Sequence, residues 1–190
     1  QVAGLETADI AAMTTNAVAS MTANQVKALS TAQLAALTTA QAANLTTAQV
    51  ANLSATQVAG METADLAALT TAQIQAVTTA AVSGLGTAQV VALTTTQAEK
   101  LTTAQLATLT STQAAALETA DLVKLSTDQL QALTATAVSG LTTGQVAAIT
   151  TGQVSGLSGT QVAALTTAQV ASITTAQVAQ LGTAQVAALT

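Results

Sequence analysis

Residues 165–173 read LTTAQVASI, and residues 173–181 read ITTAQVAQL. An aliphatic residue, a TTAQ tetrad, a second aliphatic residue and two small or polar ones fill eight positions, and the pattern then restarts. Extended in both directions, this octad accounts for the whole chain. An internal repeat of fixed period constrains the fold before any local propensity does. Taking the aliphatic residue before the Thr pair as position 1, that position runs from Leu5, Met13, Met21 and Leu29 to Leu189. All 24 copies are Leu, Met, Ile or Val. Position 6 is Val, Ile or Leu except at Ala42, Ala98 and Ala114. Position 5 is Gln in 18 of 24 copies, Asp in three (Asp9, Asp65, Asp121) and Ala in three (Ala17, Ala81, Ala137). Positions 4, 7 and 8 are mostly Ala, Gly or Ser.

An unbroken α-helix cannot obey this rule. Eight residues carry its apolar stripe about 80° off line in each octad, so the stripe soon faces every direction. A coiled coil requires a period near seven or eleven. A β-solenoid is the alternative, because an even period keeps strand alternation in phase and Thr and Val favour strands. Alternation would nevertheless put positions 1 and 6 on opposite faces. The ten Gly do not recur in register to make turns, and there is no Pro.

A helix broken once per octad explains more of the residues. In LTTAQVASI the first Thr and the Gln form T-x-x-Q, the capping box. The Thr oxygen accepts from the amide three residues on, and the Gln side chain returns to the cap amide. The remaining TAQVASI makes about two turns, with Val at position 6 and the next aliphatic residue three apart on one face. Substitutions track a polar requirement at this corner. Position 3 loses Thr at Ala23, Ala55, Ser111, Ala135 and Gly159, where position 4 becomes Asn24, Thr56, Thr112, Thr136 and Thr160. Where position 2 is Glu or Gly (Glu6, Glu62, Gly86, Glu118, Gly182), position 3 is always Thr. Whether the cap is position 2 or position 3 stays open at this level. So short a helix is unstable alone, so each unit must bury its apolar pair against others. The expected fold is all-α: a solenoid of short capped helices, one per octad, forming a single continuous array over residues 1–190.

Composition excludes much. Only 6% of the 190 residues are charged, against about a quarter in ordinary domains, and the net charge is -5. Three Lys and no aromatic residue leave neither a phosphate-neutralising patch nor a stacking platform, so no nucleic-acid partner is expected. Without Cys or His there are no disulfides and no Cys/His metal sites. No Ser has a basic partner at meaningful spacing, so neither an enzyme nor a cofactor is expected, and no residue qualifies as catalytic, cofactor-binding or metal-ligating. Thr and Gln interrupt every apolar run well short of a membrane span. The chain opens at Gln1 and closes at Thr190 in mid-octad, which reads as a segment of a longer array whose signal and anchor lie elsewhere.

A longer period is superposed. Glu6/Asp9, Glu62/Asp65 and Glu118/Asp121 recur every 56 residues, or seven octads, as do Ala42 and Ala98. Duplication of a seven-octad block accounts for this, and so does a superhelix in which seven octads make a whole number of turns. The ETAD acids sit where they complement a helix dipole; as Ca²⁺ ligands, two carboxylates are few. Lys27, Lys100 and Lys124 read as surface charges, with Lys100 beside Glu99. Met13, Met21 and Met61 read as core. The Ser-Gly pairs 83–84, 139–140 and 155–156 read as sites of close packing.

Runs such as LTTAQVASI, with variants as at 93–101, resemble the Thr/Ala/Gln-rich short repeats of very large bacterial secreted or cell-surface, adhesin-like proteins. That resemblance implies an extracellular or cell-surface location and a structural role, and it carries no site residues across. The expectation is a rigid stalk, spacer or self-associating fibre, with further copies or neighbouring repeats as partners. The alternative is a binding module that presents a regular Thr-rich face to ice, glycan or another repetitive surface.

Overall fold

The computed structural model describes residues 1–189. Among them are 23 short α-helices, one per octad, preceded by a single 3-10 turn at Val2–Gly4, and no strand. Each helix is four to six residues long, as in Thr39–Ala43, Thr103–Leu106 and Thr143–Ala148. The all-α solenoid reading therefore holds, and the β-solenoid alternative does not.

The corner is built at positions 1 and 2. Position 2 is the N-cap and extended, as at Thr46 (φ -72, ψ 155). In about half of the helices position 1 closes the helix before it and is extended as well, as at Leu69 (φ -61, ψ 139); in the others the helix closes at position 7 or 8, as at Ala92 (φ -78, ψ -9). At the corners of the first kind, two extended residues turn the chain from one helix into the next. No described residue has a positive φ, so the corner needs neither the left-handed freedom of Gly nor a Pro stop, which is why both are missing from the octad register. In every described octad with Thr or Ser at position 2, that hydroxyl accepts the amide of position 5, as Thr14 does from Ala17 and Ser54 from Gln57. The cap is position 2. The hydroxyls that move from position 3 to position 4 form no cap, and the structure offers no reason for that exchange.

The chain falls into two compact units, 1–100 and 101–190. In each, helices pack against helices three octads away: Thr39–Ala43 against Thr63–Ala68 in the first, Ser111–Ala116 against Ala135–Gly140 in the second. Positions 6 and 1 form the core as the sequence requires, with Leu34 and Leu106 fully buried and Met61 4% exposed. Met13 and Met21, in the opening coil, are half-buried. In that coil Ile10 and Val18 are buried while Leu5 is exposed; in the last coil Val178 and Val186 are exposed. Position 6 is thus covered mainly by the coil that follows, so each coil depends on its successor for burial.

Candidate functional site

The chemistry of this protein is concentrated at the junction between coils, and its central group is the position 5 Gln. Its Oε1 accepts the N-cap amide, at 2.7 Å from Thr46 to Gln49 and 2.7 Å from Thr166 to Gln169. This holds even where the cap is glycine, since Gly86 and Gly182 still donate to Gln89 and Gln185 at 3.0 and 2.8 Å. The Nε2 then does something no local rule contains: it donates to carbonyls 28 and 31 residues earlier. Gln49 reaches Met21 O at 2.7 Å and Val18 O at 2.9 Å. Gln169 reaches Leu141 O at 2.6 Å and Val138 O at 3.0 Å. One buried amide thus closes the corner of its own helix and ties it to the coil beneath. A Glu side chain could do only the first.

The offset sets the coil length. Twenty-eight residues are three and a half octads, so the 56-residue period spans two coils. Within unit 1, Glu62/Asp65 lie two coils beyond Glu6/Asp9, and Ala98 two beyond Ala42, which is the superhelical account of that period. One residue more, 29, brings position 8 over position 3 of the coil below. A Cβ on Gly140 would fall 2.5–2.6 Å from Ser111, backbone included, and one on Gly84 would lie 3.3 Å from the Ala55 Cβ. Gly156 stands equally close to Thr127. The Ser-Gly pairs are therefore close-approach sites.

Some octads lack the Gln bridge. Beyond the opening coil these are the octads of Asp65 and Ala81 in unit 1 and of Asp121 and Ala137 in unit 2. Asp9, in the opening coil, is exposed and accepts the Glu6 amide at 2.9 Å. Asp65 instead turns inward: it is 4% exposed and takes no bond from its own N-cap amide at Glu62. Burial pushes its carboxyl above the usual carboxylate range, the Thr39 hydroxyl works against that, and the negative Glu62 adds to it. Asp121 is 1% exposed, and neither of its carboxylate oxygens has a hydrogen-bond partner. The sequence places these acids in the first helical turn, where they are found, but gives no sign of their burial.

Elsewhere the surface is plain. Lys27, Lys100 and Lys124 are exposed, and Lys100 pairs with Glu99 at 3.2 Å. No three acidic, His or Cys side chains converge among the described residues, and no described helix is long and apolar enough to cross a membrane. The core of unit 2 holds a cavity of ≈ 10 Å³ lined by residues such as Val146, Ile149, Val154, Ile173 and Leu181. That is barely the volume of a water, with no polar group to hold one.

One short helix per octad, an aliphatic interior and a ladder of bridging amides define a helical repeat protein. The octads themselves place it more narrowly. The model for the ALTTAQ repeat matches residues 2–39, 26–55, 58–95, 114–151 and 157–190, and the chain belongs to that repeat family. No curated protein and no solved structure matches it.

Proposed function

We propose that this array is a structural element, a stiff spacer or stalk working outside the cell or at its surface, with no catalytic role. The observation that carries the reading is the Gln ladder. Within each unit, successive coils are joined by buried side-chain to backbone hydrogen bonds as well as by apolar contact. Such bonds specify a register that aliphatic packing alone would leave free to slip. The resemblance to secreted and cell-surface short-repeat proteins supports the location. The apolar residues left uncovered at the two ends, Leu5 at one and Val178 and Val186 at the other, suit stacking onto further octads, and hence fibre growth.

A Thr-rich face for ice or glycan is the second reading, and it requires hydroxyls in a flat row. With three and a half octads per coil, the exposed position 3 Thr residues of each unit are spread around it, which favours the structural role. Electron microscopy of the purified chain over a range of concentrations tests the proposal. Straight particles of uniform width are expected, lengthening with concentration if the ends stack. Flexible or irregular particles at every concentration would refute a stiff spacer.

A further inference from the structure

The position 5 carboxyl of Asp65 stands where its neighbours carry an amide donor. Counting back 28 and 31 residues, as the Gln bridges of unit 1 do, gives the carbonyls of Leu37 and Leu34. Leu34 O accepts the Leu37 amide within its own turn, but no donor reaches Leu37 O, and Leu37 is 5% exposed. Asp65 is at this corner, because it is buried on the helix Thr63–Ala68, which packs against Thr39–Ala43, the helix that begins two residues beyond Leu37. It has also given up the local role that Asp9 keeps: Asp9 takes its own cap amide, whereas Asp65 takes none. An ionised carboxylate here offers only lone pairs to a corner already supplied with carbonyl oxygens. A carboxylic acid offers one O–H, the donor that Gln supplies elsewhere. We propose that Asp65 is a proton-binding junction: on protonation its carboxyl donates into the Leu34/Leu37 corner and locks that coil onto the one below, so unit 1 tightens as the pH falls.

The electrostatic surroundings leave the proton as the counter-charge. Thr39–Ala43 and Thr87–Val91, the helices packed against Thr63–Ala68, carry no titratable side chain. The one charged group beside Asp65 is Glu62, at its own N-cap, and it is negative. Burial and Glu62 both favour the neutral acid. A group whose folded pKa is raised contributes stability fully present below its unfolded pKa and lost as the pH rises through the folded value. The ionised form is therefore the weak one, opposite to a salt-bridged Asp. Asp121 repeats the substitution and the burial, with both oxygens lacking a donor.

The test compares the wild-type chain with Asp65→Gln, which restores the residue of 18 octads, and with Asp9→Gln as a control. Melting is followed from about pH 7 to pH 4 without divalent ions, and the Asp carboxyl carbons are titrated by NMR. Asp65→Gln is expected to melt higher than wild type at pH 7, with the gap closing by pH 4, and Asp65 to titrate above the usual carboxylate range. A gap that does not change with pH, or Asp65 titrating within the usual carboxylate range, would overturn the proposal. So would a wild-type melting point that rises with millimolar Ca²⁺ at pH 7 and is unmoved by acid, which would make the corner a cation site.

Discussion

Replacing Gln49 by Glu separates the two tasks of the position 5 side chain. A Glu keeps the oxygen that accepts the Thr46 amide at 2.7 Å. It loses the nitrogen that donates to Val18 O, Ala19 O and Met21 O at 2.9, 3.3 and 2.7 Å, and it puts a negative oxygen against those carbonyls. Gln49 is 1% exposed, so water cannot make good the loss. Two good hydrogen bonds at about 1 kcal/mol each, and an unpaired buried charge on top, give about 3–5 kcal/mol of destabilisation at neutral pH. At about 2–4 °C per kcal/mol for a chain of this size, the melting point drops by about 6–20 °C. Repeat arrays open locally, so amide exchange of residues 17–22 and 46–52 should accelerate as well. Protonation restores one donor, so the deficit shrinks as the pH falls through the raised folded pKa of the new Glu. Gln25→Glu is the internal control. Gln25 makes the same cap bond, at 2.7 Å, but is exposed in the opening coil and bridges nothing, so its change stays within about 0.5 kcal/mol. Equal losses at both positions, or no response of Gln49→Glu to acid, would refute the bridging role.

The remaining predictions probe packing and caps. Gly140→Ala drives a methyl into Ser111 and costs about 1–3 kcal/mol, whereas Gly144→Ala meets only the Thr142 Oγ1 at 3.9 Å and gains about 0.5–1 kcal/mol as a helix former; denaturant midpoints give both. Leu34→Ala, at a fully buried position 6, loses about 2–5 kcal/mol by thermal unfolding. Lys100→Met removes an exposed ion pair and shifts the melting point by the equivalent of about 1 kcal/mol or less, an effect that fades with added salt.

Some features were legible because they are made within a few residues of the chain. The T-x-x-Q pattern gave the helix start, and hence the class, since a cap amide and its acceptor are three residues apart. The three-residue spacing of Val50 and Leu53 gave the buried face, and both side chains are in the core. The cap position itself was not legible, because TTAQ offers two adjacent hydroxyls and the sequence does not say which residue turns extended. Asp65 was harder still. ETAD reads as acids at a helix start for both Asp9 and Asp65, and only the coil beneath makes one solvated and the other buried.

The sequence by itself determined that this chain breaks into one short helix per octad, with positions 1 and 6 inward, because those bonds and contacts close over three or four residues. The tertiary structure alone decided which residues lie 28 apart in the stack. That distance follows from the angle at each corner, compounded over three and a half octads, and no local pattern of side chains encodes it. It turns an amide that reads as a capping group into the tie between coils, makes Gly140 a point of near contact, and leaves Asp65 buried where a donor is needed.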